Sequence, residues 1–148
     1  KIENNVIFTG KVPWVEVPLY YNLASIFTTA STTETQGLTV IEAMAANLPV
    51  VAINDESFNT VIVDDLTGYL FNNKKEYVNY IDLLLSNEEK LKNMSNQARI
   101  NSENYSSKYF AMRVLDVYKI ALKNRPSKKN NTFINRVIKI IKNGLIGK

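Results

Sequence analysis

Pro49-Val50-Val51-Ala52-Ile53 is an unbroken apolar run rich in strand-forming residues. A strand with one wet face alternates apolar and polar residues. A continuous run needs cover on both faces, the condition of a parallel strand layered between helices. The preceding segment supplies such a layer. From Leu38 to Ala46, one helical stripe carries Leu38, Ile41 and Ala45 and another carries Val40 and Met44, so the spacing predicts a helix apolar on most sides and buried. Asn47-Leu48-Pro49 stops it.

The rest of the chain repeats the pattern. Val6-Ile7-Phe8-Thr9, closed by Gly10, reads as a strand, Lys11 to Trp14 as a loop, and Val17 to Leu23 as a short helix. Ser25 to Ala30 reads as a second buried strand, followed by a polar stretch from Ser31 to Gln36 that ends at Gly37. After the third strand come a short helix from Phe58 to Val63, a turn from Asp64 to Gly68 and a brief strand, Tyr69 to Phe71. Helices are expected over Lys74 to Leu85, Glu88 to Asn104 with Asn87 as cap, and Ser107 to Asn124. Strands alternating with helices indicate an α/β fold: a partial Rossmann-like parallel sheet flanked by helices, with a helical C-terminal third. A linker, Asn124 to Asn131, leads to a basic tail.

Composition narrows the chemistry. Among 148 residues, 45% hydrophobic and 22% charged, there is no cysteine and no histidine. Disulfides, thiolate or imidazole metal sites, cysteine nucleophiles and histidine-dependent triads are therefore excluded from this chain. No apolar run approaches the roughly 20 residues that span a bilayer, and the expectation is a reduced, cytoplasmic domain. The net charge of +4 is unevenly spread. Through Asp116 there are 9 basic and 14 acidic residues, and beyond it 9 basic and none acidic. A basic tail on an acidic body points to a local anionic contact, not to a general affinity for nucleic acid.

The chemistry concentrates in Thr32-Thr33-Glu34-Thr35-Gln36-Gly37-Leu38-Thr39-Val40-Ile41-Glu42. This segment leaves the C-terminal end of a strand, crosses a polar loop with one glycine and enters a helix. Ligands of open α/β sheets bind there, beyond the strand ends. The first N–H groups of the helix, on Leu38, Thr39 and Val40, lack intrahelical partners and suit a phosphate or diphosphate. Gly37 lets such a group approach the backbone. Glu34 and Glu42 flank that backbone. Carboxylates only accept hydrogen bonds, so they repel phosphate but suit vicinal hydroxyls. Hydroxyls, phosphates, then hydroxyls again is the order found in a sugar nucleotide. The bland alternative makes Glu42 an exposed helix residue and Glu34 a partner of the helix dipole. The intervening glycine, the preceding strand and the apolar helix favour the ligand.

Glu34 to Glu42, extended by Ala43-Met44-Ala45 and Leu48-Pro49-Val50-Val51-Ala52, resembles the signature of retaining nucleotide-sugar glycosyltransferases of family 4, with the GT-B fold. The resemblance continues in Val6 to Val12, in Asp64 to Phe71 and in the aromatic-rich helix Tyr109 to Leu122, and so covers roughly residues 5 to 124. It implies a C-terminal, nucleotide-sugar-binding lobe over residues 1–124, followed by a basic linker and amphipathic helix over 125–148. The loop Thr33-Glu34-Thr35-Gln36-Gly37-Leu38-Thr39 is similar to that of bacterial glucosyltransferases acting on diacylglycerol and departs from the commoner glycine-aromatic-glycine form. By this resemblance Glu34 is the catalytic-site carboxylate at the donor-sugar hydroxyls, helped by the backbone of Gln36 and Gly37. Leu38 and Thr39 face the diphosphate, Glu42 takes the ribose hydroxyls, and Lys11 and Val12 edge the base. The implied donor is UDP-glucose, with no cofactor and no metal, and transfer retains configuration.

The resemblance also implies partners outside this sequence. An N-terminal lobe of the same enzyme, and two further βα units bearing an arginine and a lysine for the diphosphate, have no counterpart here. The expectation is a piece of a larger transferase that is inactive alone. In the tail, Phe133, Ile134, Val137, Ile138, Ile140, Ile141 and Leu145 fall on one side of a helix, with Arg136, Lys139 and Lys142 on the other. A basic amphipathic helix reads as a contact with an anionic membrane surface, on the inner face of the cell membrane. Packing of the same face on the absent lobe is the alternative. Nucleic acid is not expected, since Phe133 lies on the apolar side. Tyr105, Tyr109, Phe110 and Tyr118 read as packing residues. Two other functions stay open: a non-catalytic anchor derived from such a lobe, or another sugar-nucleotide enzyme such as an epimerase.

Overall fold

The computed structural model describes residues 2–124 and 135–140. It divides into two compact units, Lys1–Ser102 and Glu103–Lys148.

In the first unit, three strands form one parallel sheet: β1 (Phe27–Thr29), β2 (Val50–Ile53) and β3 (Gly68–Phe71), in the order β1-β2-β3. The central strand is the continuous apolar run, and Val50, Val51 and Ala52 are fully buried. Alternation divides its side chains between the two layers. Val51 and Ile53 pair in register with Tyr69 and Phe71 and join a core cluster with Leu84 and Met94. Leu84 comes from α4 (Lys74–Ser86) and Met94 from α5 (Glu88–Ser102). Tyr80 of α4 stacks on Tyr69 at 4.3 Å, and Tyr77 meets Phe71 edge-on at 5.1 Å. Val50 and Ala52 point to the other face of the sheet, and α2 (Leu38–Ala45), which packs against α5, buries Val40, Ala43 and Met44.

Side-chain caps fix where the helices begin. Asn73 accepts from the backbone of Glu76 at 3.0 Å, and Glu76 answers by accepting from Asn72 N–H at 2.7 Å. Asn87 caps α5 by accepting from Lys90 N–H at 2.9 Å, as the sequence predicts. The short helix after β2 begins earlier than the sequence suggests. It is α3 (Glu56–Asn59), because Asp55 accepts from Ser57 N–H at 3.0 Å and sets the start there. Val61 and Ile62 are then buried in the turn that follows. Asp65, in the left-handed region at φ 58°, accepts from Tyr69 Oη and from Lys90 Nζ, each at 2.7 Å. That pair of donors lowers its carboxyl below the ordinary range. The knot ties the β3 turn to α5.

Two expectations are corrected. Residues 6–9 form no strand, and Ile7 and Phe8 are 87% and 92% exposed. An apolar β-prone run becomes a strand only against a partner edge, and residues 6–9 pair with none among the described residues. The 25–30 segment shortens to Phe27–Thr29 and is half-buried, not buried. It pairs with β2 alone, so its other edge lacks the neighbour that would bury it.

The second unit contains a 3-10 turn at Glu103–Tyr105, α6 (Ser107–Lys123) and a helical stretch over 135–140. Ser106 caps α6. The expected linker beyond Asn124 lies outside the described residues, as do Phe133 and Lys142 of the amphipathic tail.

Candidate functional site

The site begins where β1 ends. Beyond Thr29, whose hydroxyl accepts from Ser31 N–H at 3.2 Å, the chain runs irregularly to Gly37 and turns into α2. Gly37 is the N-cap, with φ 59° and ψ 35°, and its carbonyl receives Ile41 N–H at 3.0 Å. Two constraints keep this position as glycine. The left-handed conformation disfavours a side chain, and an added Cβ would lie 3.3 Å from the Phe58 ring. A glycine cap also has no side chain to occupy the first N–H groups of α2. They stay open at the positive end of the helix.

In sequence the two glutamates flank this turn, Glu34 before the glycine cap and Glu42 in the second turn of α2. Glu34 is half-buried in the loop, and Glu42 is exposed on α2. Gln36, Leu38 and Thr39 are also exposed, Leu38 to 58%, whereas Gly37 is buried. The expectation that α2 is apolar and buried on most sides is therefore corrected. Leu38, Thr39 and Glu42 share one accessible face, and burial is confined to the opposite face through Val40, Ala43 and Met44. For a ligand site that is the more useful arrangement, because the N-terminal turn and Glu42 open to the same side. Lys11, exposed, and Val12, half-buried, lie in the irregular segment before Trp14, outside this strand–loop–helix unit. Arg136 and Lys139 are exposed on the 135–140 helix of the second unit.

The structure adds a residue that sequence reasoning passed over. Tyr21, on α1 (Val17–Leu23), donates its hydroxyl to Glu42 Oε2 at 3.1 Å and lies 3.4 Å from the Thr39 carbonyl. Its ring packs against Phe27 of β1 at a centroid distance of 5.9 Å. Burial, and then the neighbouring Glu42 carboxylate, push the phenol up to about 12, so it stays protonated and donating at neutral pH. In sequence Tyr21 is one of two adjacent tyrosines in a short helix, which reads as packing.

A second feature is a cavity of about 440 Å³ at the C-terminal ends of the strands, lined by Thr29, Ala30, Ile53, Asn72, Asn73 and Tyr77 among others. Asn54 Nδ2 donates to Asn72 Oδ1 at 2.9 Å and holds one of those amides in place. Among the described residues no group of three or more acidic side chains could hold a metal ion. Nor is any described helix long and apolar enough to cross a membrane.

The parallel sheet, its helices and the loop entering α2 have the fold of part of the C-terminal domain of GT-B glycosyltransferases. The chain belongs to the family of glycosyl transferases group 1, whose model matches residues 1–101. It is 38% identical over 122 residues to the alpha-monoglucosyldiacylglycerol synthase of Acholeplasma laidlawii, covering 82% of this chain and 30% of that protein. The C-terminal domain of a glycosyl transferase group 1 family protein from Francisella tularensis superimposes with a TM-score of 0.65 at 27% identity, over 72% of this chain and 56% of that one. An Anabaena protein, HepE, solved in complex with UDP-glucose, shares the fold with a TM-score of 0.70 at 21% identity, over 79% of this chain and 33% of that one. The chain thus spans less than a third of the length of the curated synthase it matches.

Proposed function

We propose that this chain supplies the donor-binding part of a glycosyltransferase that moves glucose from UDP-glucose to a membrane lipid such as diacylglycerol, with retention of configuration. The observation that carries the reading is the open N-terminus of α2. A left-handed glycine cap leaves the first backbone donors of α2 without a side-chain partner, and a glutamate lies before and after it in sequence. Leu38 and Thr39 offer backbone N–H groups to the diphosphate, and the backbone of Gly37 assists Glu34 at the donor sugar. Glu42 accepts from the ribose hydroxyls. Glu34 and Gln36 face the donor sugar, and Glu34 is the carboxylate at the reacting end. Lys11 and Val12 edge the base when the enzyme is whole.

The similarity to a monoglucosyldiacylglycerol synthase supports a glucosyl donor and a lipid acceptor. A lipid acceptor lies in a membrane, so the enzyme must work at its surface. Arg136 and Lys139 give the tail helix an exposed basic side suited to anionic lipid at the inner face of the cell membrane, and Lys142 follows them in sequence. The N-terminal lobe that holds the acceptor belongs to the same enzyme, and the present chain does not turn over alone.

Calorimetric titration of the chain with UDP, beside a Glu42→Ala variant with an intact circular dichroism spectrum, tests the donor site. Binding that drops by about tenfold or more in the variant is the expected result, since two hydrogen bonds to a charged group are lost. Equal binding by both would remove Glu42 from the ribose and favour a non-catalytic anchor.

A further inference from the structure

The geometry points to Tyr21 as the positioning residue for Glu42: its hydroxyl fixes which carboxylate oxygen faces α1 and leaves the other for the ribose. This inference rests on the ribose role proposed above for Glu42.

An exposed glutamate on a helix has three rotatable side-chain bonds and no reason to hold one orientation. A ligand whose vicinal hydroxyls must meet one defined carboxylate oxygen then bears the cost of ordering it. Tyr21 removes that cost in advance. One phenolic proton cannot serve two acceptors fully. The charged Glu42 Oε2, at 3.1 Å, takes it in preference to the neutral Thr39 carbonyl at 3.4 Å. The carbonyl nevertheless limits where the hydroxyl can sit, because Thr39 and Glu42 are neighbours on one helical face. The ring itself is anchored, packed against Phe27 of β1 and carried on a helix whose Pro18 lies in the first turn. The carboxylate is thereby referenced to the sheet as well as to its own helix. A phenol that stays protonated across the working pH range keeps donating throughout.

UDP binding by the full chain tests this in wild type, Tyr21→Phe, Glu42→Ala and the double variant, each with 2′,3′-dideoxy-UDP as a control ligand. Phenylalanine keeps the ring contact and removes only the hydroxyl. Tyr21→Phe should weaken UDP roughly tenfold, leave the dideoxy ligand unchanged and have no further effect once Glu42 is alanine. If Tyr21→Phe binds UDP like wild type while Glu42→Ala is weakened, the positioning role is overturned and the ribose role survives. Equal weakening toward both ligands would make Tyr21 merely structural and also overturn it. If folded wild type binds no UDP, or Glu42→Ala binds normally, the ribose reading fails and takes this inference with it. Should Tyr21→Phe not fold, the ionisation of Tyr21 followed by NMR in wild type and Glu42→Ala decides instead. A fall in the variant supports the contact, and no change overturns it.

Discussion

Gly68 is the residue with the least freedom in the sheet. An added Cβ would lie 2.2 Å from the Val50 carbonyl oxygen, inside the parallel ladder where neither backbone can move aside. Gly68→Ala should therefore lower stability by at least about 2 kcal/mol, read as a drop in denaturation midpoint with an unchanged slope. A neutral result would mean that β3 does not pair with β2 as described. Nothing in the sequence separates this glycine from Gly10, which has open space around it. Both follow or precede short β-rich runs and both read as turn residues. The sequence does mark Gly37, because a glycine between a strand and an apolar helix has few other uses. The same limit applies at Tyr21. Its partner is 21 positions away and on another helix, and no local pattern links them.

At the scale of the element, α2 is specified almost wholly by local chemistry. Its C-terminal end is a Schellman motif: Leu48 N–H reaches the Ala43 carbonyl at 3.0 Å and Asn47 N–H the Met44 carbonyl at 3.0 Å. Asn47 takes the left-handed conformation at φ 67°. Asparagine tolerates that region better than most residues but less well than glycine. Asn47→Gly is expected to stabilise the chain by about 0.5 kcal/mol, and Asn47→Ala to destabilise it by about 1 kcal/mol. Thermal denaturation of the pair checks both signs, and reversed signs would remove the left-handed turn. The stop at Asn47-Leu48-Pro49 was thus legible, and so was the cap at Asn87, since each involves neighbours within five residues. Which side of α2 would stay open was not. Its apolar residues cover most of the helical circumference, and only the placement of the sheet beneath it decides that Leu38 faces outward.

For the molecule as a whole, the uneven charge is the feature with the clearest functional consequence. If the tail is a membrane contact, the chain should sediment with vesicles containing phosphatidylglycerol and not with neutral phosphatidylcholine vesicles. Replacing Arg136, Lys139 and Lys142 together by glutamine should weaken that binding roughly a hundredfold, at about 1 kcal/mol for each charge. Raised salt should weaken it as well. Equal sedimentation with both vesicle types, or no loss in the triple variant, would favour packing of the tail on protein. What sequence alone determined about this chain is the layered α/β class, the alternation of elements after Ser25, the stop of α2, the cap of α5 and the strand–loop–helix segment with Glu34, Gly37 and Glu42. All of these rest on periodicity, caps and turn residues that act over a few positions. Tertiary structure alone decided that residues 6–9 pair with no sheet edge, that Gly68 lies against Val50, and that Tyr21 holds Glu42. Those outcomes depend on which distant backbone or side chain occupies the neighbouring space, and no short stretch of sequence carries that information.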